Sequence, residues 1–302
     1  MKRARIIYNP TSGRELFKKH LPEVLQKMEI AGYETSCHAT TGAGDATNAA
    51  RDAVERQFDV VIAAGGDGTI NEVVNGLAEL ENRPKLGIIP VGTTNDFARA
   101  LGVPRTIEEA TNIICEGATL PIDLGKVNGQ FFINIAGGGR LTELTYEVPS
   151  KLKTVLGQLA YYLKGMEILP SIKPTHVEIE YDGKFFEGEI MLFLVCNTNS
   201  VGGFEKLAPT ACFNDGMFDL IIVKKTNLAD IVRIASLALK GDHMNDPAII
   251  YSKANRVKVK TTEKMQLNLD GEYGGLLPGE FMNYYQHLDV FVSNSKINQL
   301  YS

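Results

Sequence analysis

Over roughly the first 120 residues, short apolar runs alternate with stretches whose apolar side chains recur every three or four positions. Residues 4–8, 33–39, 59–64 and 86–90 have the length and content of strands. The run Asp59-Val60-Val61-Ile62-Ala63-Ala64 is too continuously apolar for an exposed edge and predicts a strand buried on both faces. Helical spacing through Leu16, Phe17, Leu21, Val24, Leu25 and Met28 stops at Gly32, with Pro22 expected to break or kink the helix. A second helix follows Thr40-Thr41-Gly42-Ala43-Gly44-Asp45 and ends near Gln57. A third carries Ile70, Val73, Val74 and Leu77 on one face, and the capping-box spacing of Thr69 and Glu72 sets its start. Another begins near Phe97. Strand and helix in alternation predict a Rossmann-like parallel sheet with helices on both faces.

The pattern changes near Pro121, where paired strands separated by hairpin signals take over. Asn128-Gly129 divides residues 123–127 from 130–135, and Asp182-Gly183 divides 177–181 from 184–196. Asp215-Gly216 precedes residues 217–223, and Asp270-Gly271 ends the run that starts at Arg256. Helical stretches over residues 150–168 and 227–240 interrupt. The expected organisation is an α/β domain over residues 1–122, a mainly antiparallel β domain over 123–290, and a tail, 291–302, that returns to the first domain.

A length of 302 residues fits two domains, each able to bury a core. A net charge of −5 and a pI near 5.7 argue against a nucleic-acid surface. The four cysteines are scattered without a C-x-x-C pair, as in a reduced cytosolic protein. The N-terminus is basic but lacks the apolar run of a signal peptide, and nothing approaches the ~18 apolar residues of a membrane span. A cytoplasmic protein whose membrane contact is peripheral is expected.

Chemistry concentrates where strands become helices. Gly65-Gly66-Asp67-Gly68-Thr69 permits a tight turn and lets a ligand approach bare backbone at the positive end of a helix, a field that suits phosphate. The glycine spacing is that of neither the P-loop nor the dinucleotide loop. Asp67 at its centre makes sense if a metal accompanies the phosphates, or if the carboxylate holds the loop's own backbone. An ordinary strand-to-helix turn is the plain alternative. Ligands of open parallel sheets bind beyond the carboxyl ends of the strands. Residues 9–13, 40–45, 65–69 and 92–96 all fall there, rich in Gly, Thr, Ser, Asn and Asp. One shared, phosphate-bearing ligand explains them together better than separate turns do.

Asn9-Pro10-x-Ser12-Gly13, Gly65-Gly66-Asp67-Gly68-Thr69-x-Asn71-Glu72 and Pro90-x-Gly92-Thr93-x-Asn95-Asp96-Phe97-Ala98, with the late Asp270-Gly271-Glu272, resemble the diacylglycerol kinase catalytic family, which includes sphingosine and ceramide kinases. Without an appended lipid-binding domain, the chain is most similar to its soluble bacterial members. The resemblance implies an ATP site from Asn9, Pro10, Thr11, Ser12, Gly13, Thr40, Gly66, Asp67, Gly68, Thr69, Ile70, Asn71, Glu72 and Thr93. Thr11, Ser12 and Thr69 can donate hydroxyl hydrogen bonds to phosphate, and Arg14 can add charge or simply face solvent. Asp96 would join Asp67 in an acidic network around the phosphates, although Asn95 and Asp96 are equally good helix caps. Magnesium is implied with the nucleotide. A structural magnesium is also implied on the Asp215 side chain with backbone oxygens of Cys212 and Met217, where the residues alone read as a hairpin turn. No histidine lies in a motif, so the base for the acceptor hydroxyl is a carboxylate. The family points to Asp270-Gly271-Glu272, with Glu272 ahead of Asp270; a plain hairpin explains Asp270 but not Glu272.

Together these imply an ATP-dependent lipid kinase acting on the hydroxyl of 1,2-diacylglycerol to give phosphatidic acid, in a cleft between the domains. The same chemistry on phosphatidylglycerol or a sphingoid base, a NAD-kinase-like enzyme, and a non-catalytic sensor are the alternatives. From Lys151 to Leu169 an apolar helical stripe flanked by Lys151, Lys153 and Lys164 suits either an interfacial helix on anionic lipid or a core helix with snorkelling lysines. The family inclines the expectation to a homodimer.

Overall fold

The computed structural model describes residues 1–139, 173–199 and 206–301. Two compact units emerge: Met1–Ile122 with Gln286–Ser302, and Asp123–Tyr285. In the first, β1 (Lys2–Tyr8), α1 (Leu16–Ile30), β2 (Tyr33–Ala39), α2 (Asp45–Glu55), β3 (Val60–Gly65), α3 (Asp67–Ala78) and β4 (Lys85–Pro90) alternate, followed by α4 (Asp96–Ala100) and α5 (Ile107–Glu116). The strands pair in parallel in the order β2-β1-β3-β4. Every residue of β3 is buried, so the sheet is covered on both faces, as its unbroken apolar run predicts. The order reverses between β1 and β3, the topological switch point at which open sheets take their ligands. There the Asn9 N–H donates to the Ala64 carbonyl at 3.1 Å, joining the loops that leave the two strands.

One local expectation is corrected and another narrowed. Pro22 lies inside α1 without breaking it; the buried stripe of Phe17, Val24 and Met28 holds the helix on both sides of the lost hydrogen bond. Thr69 and Glu72 form no capping box: α3 starts at Asp67, with Gly66 as an N-cap that makes no side-chain bond. Thr69 is buried in the first turn, and Glu72 instead accepts the Ala46 N–H of α2 at 3.1 Å, satisfying a donor that α2 cannot pair internally.

In the second unit, β5 (Thr119–Val127), β6 (Gln130–Phe132), β7 (Ile135–Gly138), β8 (Thr175–Tyr181), β9 (Lys184–Cys196) and β10 (Phe218–Lys224) precede α6 (Leu228–Ala238). Then come β11 (Ile249–Ala254), β12 (Arg256–Lys260), β13 (Gln266–Leu269), β14 (Glu272–Leu276) and β15 (Gly279–Phe291), whose last residues belong with α7 (Asn294–Tyr301) to the first unit. Pairing within this unit is antiparallel, running β7-β9-β8-β12-β15, with β10 beside β9, β11 beside β10 and the β13–β14 hairpin on β7. Asn128-Gly129, Asp182-Gly183 and Asp270-Gly271 all have positive φ at both residues, as tight hairpin turns require. The run from Arg256 to Asp270 is two strands rather than one, and the final strand is long, from Gly279 to Phe291. Phe132 stacks on Phe218 at 5.5 Å and Phe193 meets Phe281 edge-on at 5.8 Å, forming an aromatic centre to the core. The helical stretch expected over residues 150–168 lies outside the described residues. Among the described residues no helix is long and apolar enough to cross a membrane.

Helices α2 and α3 are in backbone contact at Gly76, where a Cβ would lie 2.4 Å from the Thr47 carbonyl oxygen and 2.6 Å from the Ala50 Cβ. Gly76→Ala must push the helices apart, and thermal or urea unfolding should register a loss of about 1–3 kcal/mol. An unchanged midpoint would mean that the contact is not close-packed.

Candidate active site

The β3–α3 turn presents backbone before it presents side chains. The first bond of the α3 ladder runs from the Ile70 N–H to the Gly66 carbonyl, so the N–H groups of residues 67–69 precede the ladder at the positive helix end. Gly66 and Gly92 face each other across the switch point: a Cβ on Gly92 would lie 2.6 Å from the Gly66 Cα. Glycine at position 92 is what lets the loops after β3 and β4 touch, since a Cβ on Gly66 would meet the Gly92 Cα at an ordinary 3.5 Å. Asn95 locks the second loop, its Oδ1 accepting the Gly92 N–H at 3.0 Å and its Nδ2 donating to the Gly92 carbonyl at 2.7 Å.

Asp67 joins these loops. Its carboxylate accepts backbone N–H groups of Asn95, Asp96 and Phe97, while Oδ1 is buried with no hydrogen-bond partner among the described residues. Burial, then the nearby Asp96 carboxylate, push its pKa up to about 6 against the pull of the three N–H groups. Asp96 forms an ion pair with Arg99. Of the two roles open to Asp67, holding backbone is realised directly, and the bare Oδ1 leaves the second available.

A cavity of about 350 Å³ lies beside this turn. Asn9, Pro10, Thr11, Thr40, Gly68, Thr69 and Glu72, all singled out from the sequence, line it. Asn9 Oδ1 shapes its own loop by accepting the Thr11 N–H at 2.9 Å and the Thr11 hydroxyl at 2.8 Å. The rest of the wall is Thr41, Gly42, Ala43 and Ala46, which site assignment from the sequence passed over although their loop drew attention. Ser12, Gly13, Gly66, Asp67, Ile70, Asn71 and Thr93 are not in the lining, and neither is Asp96. Ile70 is fully buried, and its N–H already serves the helix. Gly13 has φ +56° and would bring a Cβ to 2.4 Å from the Val91 carbonyl oxygen, so it holds the first loop against the third. The Arg14 side chain lies outside the described part of the molecule.

Asp270 and Glu272 sit at the tip of the β13–β14 hairpin and differ sharply in employment. Asp270 accepts backbone N–H groups from Ile133 at 2.7 Å, Asn134 at 2.8 Å and Ile135 at 2.9 Å, engaging both of its oxygens. Glu272, first residue of β14, is exposed. Buried polar residues that the sequence reading did not select continue this network. Asn197 donates to the carbonyls of Asp123 and Ile133, both at 2.9 Å, and the fully buried Asp123 accepts the Gly216 N–H at 2.6 Å. A lone acid between Ile122 and Leu124 was the available signal.

No group of three or more His, Cys, Asp or Glu is placed to hold a metal among the described residues. The bare, buried Oδ1 of Asp67 fits a magnesium ligand, since an uncompensated carboxylate oxygen is what a hard cation satisfies. Asp215 fits less well: its Oδ1 accepts the Met217 N–H at 3.1 Å and its Oδ2 the Lys253 ammonium at 2.5 Å.

A parallel α/β unit with a cavity beside its switch point is followed in the same chain by an antiparallel β unit, and similarity to known proteins identifies this two-domain arrangement as that of a kinase. The model of the diacylglycerol kinase catalytic domain matches residues 3–127, and that of the YegS C-terminal NAD kinase beta sandwich-like domain matches residues 144–292. The chain is 73% identical to a diacylglycerol kinase of Bacillus subtilis (strain 168) over 301 residues, 99% of each chain. It is 55% identical to one from Staphylococcus aureus (strain JH9), over 99% of this chain and 95% of the other. A solved diacylglycerol kinase structure from Bacillus anthracis str. Sterne superposes with a TM-score of 0.83 at 32% identity, over 97% of this chain and 98% of that one. The chain belongs to the diacylglycerol kinase catalytic family.

Asp67 supplies a pH signature. Its folded pKa, about 6, lies above the ordinary carboxylate value of 3.8, so the folded state binds the extra proton. Stability from this group therefore rises as pH falls from above 6 towards 4, by on the order of 2 kcal/mol. Asp67→Asn should remove that slope from unfolding curves recorded between pH 7.5 and 5. An equal slope in both proteins would detach Asp67 from it.

Proposed function

We propose that this protein is an ATP- and magnesium-dependent lipid kinase that phosphorylates the hydroxyl of 1,2-diacylglycerol to give phosphatidic acid. The observation that carries the reading is the cavity beside the start of α3, where three N–H groups precede the helix ladder and an unpartnered carboxylate oxygen lies close in sequence. In this reading, residues 1–122, with the returning tail, bind nucleotide, and residues 123–290 bind lipid.

Phosphate oxygens accept from the N–H groups of Asp67, Gly68 and Thr69 and from the Ser12 hydroxyl, and the Thr11 hydroxyl joins them by turning away from Asn9 Oδ1. Gly66, Gly13 and Thr93 shape the loops around them, and Ile70, Asn71 and Glu72 act as helix framework. Asp67 Oδ1 would hold the nucleotide's magnesium, with Asp96 as its acidic neighbour. Bound magnesium spreads the negative charge of the transferring phosphoryl group. Glu272 takes the proton as the lipid hydroxyl oxygen forms its bond to the γ-phosphorus; the bond from that phosphorus to the β-γ bridging oxygen breaks and ADP leaves. Asp270, occupied by backbone, fixes the hairpin that presents Glu272. A second magnesium on Asp215 with the Cys212 and Met217 carbonyls belongs to the same reading; the Lys253 ammonium already neutralises that carboxylate, so the ion must share or displace it. We further propose a cytoplasmic homodimer that meets the membrane transiently. The stretch expected to border the lipid, Lys151 to Leu169, lies outside the described residues.

The test is labelled ATP with magnesium, offered mixed micelles of diacylglycerol, phosphatidylglycerol or a sphingoid base, and NAD in solution. Label should enter phosphatidic acid; label only in an aqueous product would overturn the lipid reading. Glu272→Gln should lower kcat by about a hundredfold or more, within the range of general-base losses, while calorimetric ATP affinity stays put. Full turnover in that variant would remove Glu272 as the base.

A further inference from the structure

The β2–α2 loop forms the cavity wall opposite the α3 N-terminus, and it carries a carboxylate with no role in the chemistry above. Asp45, first residue of α2, does not cap its own helix; Gly44 stands at the N-cap in the left-handed region, without a side-chain bond. The Asp45 side chain turns back along the loop. Its Oδ2 accepts the Thr41 N–H at 2.7 Å and the Thr41 hydroxyl at 2.9 Å, and its Oδ1 lies 3.2 Å from His38 Nε2. Those bonds close a ring around Gly42 and Ala43, two residues of the cavity wall. The far end of the loop is tied from α3, where Glu72 Oε2 accepts the Ala46 N–H at 3.1 Å and the Glu72 carbonyl accepts the Thr47 hydroxyl at 3.0 Å. A segment with glycine at positions 42 and 44 loses much conformational freedom when it is ordered. Here two carboxylates hold it before any ligand arrives.

We propose that Asp45 is a positioning residue that pre-orders the Thr40–Ala43 wall for the nucleoside half of the bound nucleotide. The assignment of halves follows from the donors each side offers. Phosphates go to the N–H groups that precede the α3 ladder, whereas the N–H groups of Thr40 and Thr41 are already taken by the Tyr8 carbonyl and Asp45, leaving that wall to the uncharged sugar and base. Binding to a wall already in place avoids the ordering cost that a loose one would impose. The Thr41 bonds hold the Asp45 pKa below its ordinary value, so the anchor stays ionised at neutral pH.

The inference rests on the nucleotide reading of the cavity, and the experiment separates the two. Calorimetry with magnesium and ATP on the full chain, without lipid, is paired with steady-state kinetics. Asp45→Ala should raise both the Kd and the KM for ATP about tenfold with kcat within about twofold, as expected when only a binding cost is added. Asp45→Asn, which keeps an acceptor oxygen for Thr41, should recover most of the affinity. Amide exchange on the wild type guards against a misfolded variant: the Thr41 amide should already exchange slowly without nucleotide. An Asp45→Ala protein that binds ATP like the wild type, or loses kcat as much as KM, would end the proposal. So would a Thr41 amide protected only after ATP is added. A wild type that binds no ATP would instead sink the nucleotide reading itself.

Discussion

One carboxylate ties together the loops that leave β3 and β4. Asp67 starts α3 yet spends its hydrogen bonds on the backbone of residues 95–97, where α4 starts. Two helix starts are thereby drawn together at the switch point of the sheet, and the Gly66–Gly92 contact is the steric condition for their approach. An ionised oxygen placed there is disfavoured by burial and by Asp96, which is why its pKa is high. That cost persists because the donors are three backbone groups that would otherwise go unpaired.

The second unit repeats the device with a different outcome. Asp270 accepts three backbone N–H groups and so joins a hairpin to the chain at Ile133–Ile135. Glu272, two residues on, is exposed. Two acids of one short hairpin thus stand in different surroundings, and environment rather than residue type sets what each is suited to.

Features governed by local period were readable from the chain alone. The apolar run of β3, the four loops at strand ends and the hairpin dipeptides stand where the pattern put them, because each depends on residues next to one another. Partners distant in sequence were not readable. Glu72 and Thr69 have capping spacing, but Glu72 serves Ala46, 26 positions away, a fact that needs two packed helices to exist first. Asp123 and Asn197 drew no attention for the same reason: a polar residue in an apolar strand says that a partner exists, not which one. Pro22 breaks no helix here, since helix statistics describe isolated turns and α1 is held by its buried stripe.

The course of β15 has a genetic corollary. Its opening residues pair with β12 in one unit, while Val290, near its end, lies beside Leu86 of β4 in the other. The first unit is therefore written in two separate stretches of the reading frame. A stop codon after Tyr285 would remove the neighbour of β4 and leave a sheet margin open to stray pairing. Anyone wishing to express that unit alone must splice its tail back on, by fusion or by circular permutation, rather than cut once.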